Sequence, residues 1–270
     1  MELGIRGKVA VVTGGAGILC ASMAQALAEQ GAKVAVLDLR AEAAEDVAQA
    51  IESKQGMALG LGANVLSLDS LREARKKILE RFGTIDILIN GAGGNSPRAT
   101  TSAEQSFFAL SVEDIQMVMN LNFLGTVLPC QVFGEVIVAK KKGSIINISS
   151  MAAFTPLTRT IAYSAGKAAV SNFTQWAATH FSQEYSPEIR VNAIAPGFLL
   201  TEQNRYLLTA QETGELTERG RKIIGATPMH RFGLAEDLLG LVLLLCSDAS
   251  AFINGAIIPI DGAFSAYRGV

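Results

Sequence analysis

Seven short apolar runs recur along this chain, and most gaps between them carry a helical pattern. The runs fall at 8–12, 33–37, 57–61, 85–89, 144–148, 189–195 and 256–260. Most are rich in β-branched residues and show no apolar–polar alternation, which is the mark of strands buried on both faces. Between them the spacing predicts helices over 18–30, 41–54, 70–82, 112–140, 162–181 and 235–246, and glycines at 31 and 83 close two of these. Pro129 is expected to bend the fourth helix. Strand and helix in alternation build an α/β fold. The expectation is a single domain over residues 1–270, a doubly wound parallel sheet of about seven strands with helices on both faces.

The totals exclude several function classes. The chain has 270 residues, 49% of them hydrophobic, which is enough for one large core. A net charge of −2 with no basic stripe argues against nucleic acid, and no polybasic segment suggests a membrane surface. The longest aliphatic run, near 238–245, is interrupted by Gly240 and is too short to span a bilayer. The first eight residues lack a signal-peptide layout. Cys20, Cys130 and Cys246 are odd in number and scattered, as expected of reduced thiols in a cytoplasmic protein. With His180 and His230 as the only histidines, no metal is expected.

Chemistry concentrates where the expected strands end. The first strand leads into Thr13-Gly14-Gly15-Ala16-Gly17-Ile18-Leu19-Cys20 and then a helix. Glycines there admit a pyrophosphate close to the backbone, and the helix N-terminus supplies free amides and a positive dipole end. The second strand ends at Asp38, whose carboxylate suits both hydroxyls of an adenosine ribose and repels a 2′-phosphate, favouring NAD over NADP. Arg40 close by tempers that preference. Asn90-Gly91-Ala92-Gly93 follows the fourth strand, with residues small enough to approach a nucleotide. Ser150 follows the fifth strand. Tyr163 and Lys167 stand four apart, one turn along one helix face. An ammonium beside a phenol favours the phenolate, so the Tyr163 pKa is expected to fall toward working pH. A tyrosine so tuned can exchange a proton with a carbonyl oxygen or hydroxyl as hydride moves. The irregular stretch around 198–228, opened by Pro196-Gly197, is the expected substrate lid.

On these residues the chain resembles the classical short-chain dehydrogenases/reductases over nearly its whole length. The matching pieces are T-G-G-A-G at 13–17, Asp38, A-N-V at 63–65, N-G-A-G at 90–93, Asn122, Ser150, Tyr163, Lys167 and Pro196-Gly197. The resemblance implies a Rossmann fold, an NAD(P) cofactor, a Ser-Tyr-Lys-Asn tetrad and a homotetramer. It makes Tyr163 the acid/base, and gives Lys167 the nicotinamide ribose and the tuning of Tyr163. Ser150 would orient the substrate oxygen and Asn122 would hold a relay water. Cofactor contacts are implied for Gly14, Gly17, Ile18, Leu19, Asp38, Asn64, Val65, Asn90, Ala92, Gly93, Pro196, Gly197 and Thr201. The chain departs from the usual glycine pattern at Ile18 and Cys20. Asn64 replaces an acidic residue, and Gly91 stands second in the N-N-A-G motif. Segments 13–20, 91–101, 121–129, 149–167 and 195–205 and the ending F-S-A-Y-R-G-V look like the family's D-mannonate oxidoreductases, also called fructuronate reductases. In that group this glycine turn is the normal form. The implied reaction interconverts D-fructuronate and D-mannonate with NADH and NAD.

A sugar acid needs a cation for its carboxylate, and arginine binds both oxygens with one fork. Arg98, Arg159 and Arg205 are the candidates. Asn95, Ser96, Thr155, Gln203 and Asn204 are available for hydroxyls, whereas Glu202 is unfavourable near an anion unless paired. The Trp176 face, with Phe173 and Phe181, reads as core or subunit contact. Two alternatives stay open: an oxidoreductase of this family acting on gluconate-type acids, polyols or another carbonyl compound, and a non-catalytic dinucleotide-binding regulatory protein.

Overall fold

The computed structural model describes residues 3–201, 205–210 and 214–269. Strands β1 (Val9–Thr13), β2 (Lys33–Asp38) and β3 (Met57–Gly62) alternate with helices α1 (Ile18–Glu29), α2 (Ala41–Ser53) and α3 (Leu68–Phe82). Then come β4 (Ile87–Asn90), α4 (Val112–Ala139), β5 (Gly143–Ile148), α5 (Ile161–Glu184) and β6 (Ile189–Pro196). Short helices α6 (Arg205–Leu208) and α7 (Glu218–Gly225), helix α8 (Glu236–Cys246) and strand β7 (Ile257–Ile260) complete the chain. The seven strands form one sheet in the order β3-β2-β1-β4-β5-β6-β7, parallel throughout. This is the doubly wound Rossmann arrangement, and β1 and β4 flank the point where strand order reverses.

Alternate strand residues feed two separate cores. Ala10, Val12, Val34, Val36, Ile146 and Ile148 pack with Met23 and Leu27 of α1, Ile51 of α2 and Leu238 of α8. Val9, Val11, Ala35, Leu37 and Ile145 pack on the other face with Leu71 and Ile78 of α3 and Phe133 and Ile137 of α4. Phe133 is fully enclosed, and truncating such a side chain to alanine costs about 3–5 kcal/mol.

Local chemistry fixes the ends. The Ser67 hydroxyl accepts from the Ser70 amide at the start of α3, and Gly83 closes that helix at φ +79°. Ser111 caps α4 through the Asp114 amide. Helix α4 runs through Pro129 as one element of 28 residues. By length and composition alone it could cross a membrane, but it is a core helix, with its apolar side against the sheet and α5. Strand β4 starts later than expected. The Asp86 side chain accepts from the Val9 amide at 2.8 Å and the Asp86 amide donates to the Val9 carbonyl at 2.9 Å, ahead of the strand register that starts with Ala10 opposite Ile87.

Candidate active site

The carboxyl ends of β1, β2, β4, β5 and β6 open into one crevice of about 480 Å³, a normal size for a ligand site. At its first wall, Gly14 has φ +62°, and a Cβ there would lie 2.8 Å from the Ala92 nitrogen. The Thr13 hydroxyl accepts from the Gly91 and Ala92 amides at 3.2 and 3.4 Å. The turn after β1 is therefore fastened to the turn after β4. Gly17 precedes α1 with no capping side chain. The first backbone bond of α1 runs from Ala21 to Gly17, leaving the amides at its N-terminus without helical partners. Asp38 ends β2 with its carboxylate braced by the Ala16 amide at 3.2 Å and the Arg40 amide at 3.1 Å. A cradle that excludes side chains, open amides and a braced carboxylate fit a dinucleotide whose ribose carries free hydroxyls.

The far end of the crevice brings together Ser150, Tyr163 and Lys167. The Ser150 hydroxyl accepts from the Ala152 amide at 3.1 Å and lines the crevice together with Tyr163. Lys167 Nζ lies 5.8 Å from the Tyr163 ring centroid and donates to the Ile148 carbonyl at 2.7 Å. Ser149 supports the same helix, bonding the Lys167 carbonyl at 3.2 Å and the Ser171 hydroxyl at 2.7 Å. The Asn122 side chain is fully buried and bonded to the backbone of Gly94 and Val118. Asn122 Oδ1 and Lys167 Nζ both face the open side of Gly93, where a Cβ would come within 2.8 and 3.1 Å of them.

The electrostatics correct one expectation. Burial pushes the Tyr163 phenol above its ordinary value, and the Ser150 hydroxyl offsets this only in part. Burial acts on Lys167 as well and lowers its pKa to about 8. Removing each group from water disfavours its charged form.

Several expected contacts lie elsewhere. The Asn90 amide points inward, donating to Asn147 Oδ1 at 2.8 Å and to Cys130 Sγ at 3.1 Å. Asn64 is exposed, with Oδ1 taken by the Leu66 amide, and Val65 packs beside Gly125 of α4; neither lines the crevice. Ile18, Leu19, Ala92, Pro196, Gly197 and Thr201 do line it. Arg98 pairs with Asp114 at 3.0 Å, and Asn95 donates to Thr100 at 2.8 Å. Arg159 borders a separate groove beside Phe107 and Ile161. Arg205 opens α6, its amide bonded to the Thr201 carbonyl at 2.9 Å. Glu202, Gln203 and Asn204 lie outside the described residues. Sequence reading did not anticipate Cys20 as a wall of the crevice, although its departure from the glycine pattern was the available signal.

Comparison with known proteins is consistent with this geometry. The short chain dehydrogenase family model matches residues 8–212. An uncharacterized oxidoreductase of Haemophilus influenzae is 50% identical, covering 98% of this chain and 96% of its own length. An uncharacterized oxidoreductase of Bacillus subtilis is 47% identical, with 98% of each chain covered. A solved structure from Haemophilus influenzae, provisionally named a D-mannonate oxidoreductase and holding NAD, superposes with a TM-score of 0.94. It shares 49% identity and covers 99% of this chain and 98% of its own.

Proposed function

The chain belongs to the short chain dehydrogenase family, and on that premise we propose that it is an NAD-dependent oxidoreductase interconverting D-fructuronate and D-mannonate. The observation that carries the reading is the meeting of Ser150 with Tyr163, one helical turn from Lys167, at the end of the crevice opposite Asp38. When bound, the nicotinamide supplies or accepts the hydride. Ser150 holds the substrate oxygen, and Tyr163 gives that oxygen a proton during reduction. Lys167 sets positive charge beside the phenol and the ribose. Asn122 fixes the Gly93–Gly94 backbone that borders them. Asp38 receives the adenosine ribose, which favours NAD over NADP. The NAD-bound structure provisionally named a D-mannonate oxidoreductase supports both cofactor and substrate. A segment around 198–228 acts as the lid over the substrate. Its helices α6 and α7 are tied by an antiparallel bridge between Thr209 and Leu216. The reading includes a cytoplasmic homotetramer, with the exposed Trp176 on α5 in a subunit contact.

The test is NADH oxidation by the purified protein with D-fructuronate, D-tagaturonate and 5-ketogluconate. A clear preference for D-fructuronate supports the reading, and equal turnover of simple ketones refutes it. Absent turnover with NADH bound would favour a regulatory dinucleotide binder. A second reading, a neutral polyol or ketose substrate, is favoured by one observation: neither Arg98 nor Arg159 lines the crevice. Arg205→Ala separates the two. It raises KM for D-fructuronate at least several-fold if the substrate is an acid and leaves KM for a polyol in place.

A further inference from the structure

The turn after β1 and the turn after β4 pack against each other in the lining of the crevice, and a buried sulfur lies between the start of α1 and the β4 turn. A Cβ at Gly91 would run into Cys20 Sγ, closer than any real contact allows, and would lie 2.9 Å from the Thr13 carbonyl. Cys20 stands in the first turn of α1, the end that offers its amides to the crevice, and is itself 5% exposed. We infer that Cys20 is a positioning residue for dinucleotide binding, its sulfur filling the volume vacated at Gly91 and so setting the α1 N-terminus against the β4 turn.

Two departures noted separately in the sequence, a cysteine in the glycine turn and a glycine second in N-G-A-G, thereby become one packing solution. The neighbouring bonds agree. Thr13 holds the Gly91 and Ala92 amides, and Gly14 leaves the Ala92 backbone room to approach. Cys20 completes this seam within the first turn of α1. The role is steric. Burial pushes the thiol up to about 12, so it carries no charge at neutral pH despite lying within electrostatic reach of Lys167. Misplacing the seam moves the amides that receive an anionic group, and such geometry is lost without any loss of fold.

The inference rests on the NAD reading, and a double-mutant cycle tests it: Gly91→Ala, Cys20→Ala and both together, each measured for NADH Kd by fluorescence titration and for Tm. Gly91→Ala alone should raise the NADH Kd about tenfold or more, since an added methyl meets a filled volume. In the Cys20→Ala background the same substitution should cost several-fold less, because the severer clash is gone and only the 2.9 Å approach to the Thr13 carbonyl remains. Additive effects on Kd overturn the inference, and so does coupling seen only in Tm, which would make the contact merely structural. If Gly91→Ala alone does not fold, recovery of folding and NADH binding in the double variant supports the inference, and failure of the double variant overturns it. A wild-type chain that does not bind NADH removes the reading beneath it. A wild-type chain that binds NADH, with additive variants, removes only the role of Cys20.

Discussion

Asn122 grips Gly94 from both sides: the Gly94 amide donates to Asn122 Oδ1 at 3.2 Å, and Asn122 Nδ2 donates to the Gly94 carbonyl at 2.7 Å. The same Nδ2 reaches the Val118 carbonyl at 2.8 Å within α4. Both Nδ2 hydrogens are thus spent on holding the β4 turn and α4, while Oδ1, bonded once, keeps a second acceptor position. Asn122→Leu leaves the part-buried Gly94 amide and carbonyl without their side-chain partner, at about 1 kcal/mol each. The expected outcome is a Tm lower by roughly 4–10 °C for a chain of this size, together with reduced kcat. A melting curve that coincides with the parent's would contradict the clamp.

Tyr163 is the proton donor in the proposed reaction. Tyr163→Phe keeps the ring and removes the acid, so kcat should fall roughly 10²-fold or more. NADH affinity should stay near the parent's. Stopped-flow or steady-state reduction of D-fructuronate measures the first, and fluorescence titration the second. Wild-type turnover in this variant would take the role away from Tyr163.

Lys167 titrates in an accessible window. Burial lowers its pKa from 10.5 to about 8, so the ammonium is present below that pH and lost above it. Reduction that needs the charge beside Tyr163 should show kcat/KM flat below pH 7 and falling through an apparent pKa near 8. Stability moves the other way. The unfolded chain keeps the Lys167 proton up to pH 10.5 while the folded chain releases it near 8. Between those values the unfolded state binds more protons, so the Lys167 contribution to folding rises with pH. Lys167→Met should lack that slope. A kcat/KM profile flat to pH 9.5, or a variant with the same pH dependence of stability, would refute this assignment.

In the proposed reading Asp38 decides between dinucleotides. Asp38→Ala removes the ribose partner and the repulsion of a 2′-phosphate, and leaves Arg40 beside the vacancy, its Nε now 3.7 Å from Asp38 Oδ1. The NADH KM should rise about tenfold, in line with loss of a charged hydrogen bond, while the NADPH KM falls. Initial rates with each cofactor measure both. Unchanged selectivity would place the ribose elsewhere.

Much of this was readable before the fold was known, for physical reasons that also mark where reading failed. Strand runs such as Val9–Val12 and Ile145–Ile146 are apolar on both faces because α1 and α8 cover one side and α3 and α4 the other. Tyr163 and Lys167 share a face because four residues make one turn. Asn90 misled because the motif around it says nothing of side-chain direction, and its amide turns inward to Asn147 and Cys130. The Tyr163 shift was misjudged in sign because spacing reveals a nearby charge but not the burial of both groups. The Arg98–Asp114 pair joins a loop to α4 across sixteen positions, a match that charge patterning could not single out.

The strand order has a consequence for how such a protein can change. In the proposed reading, Asp38, which distinguishes one dinucleotide from another, ends β2, on the side of β1 away from β4. Ser150, Tyr163 and the chain beyond Pro196 hang from β5, α5 and β6 on the other side. Mutations that retune currency preference therefore arise far from those that retune substrate choice. The two traits can drift as nearly independent characters over a lineage, and a laboratory can select each without undoing the other.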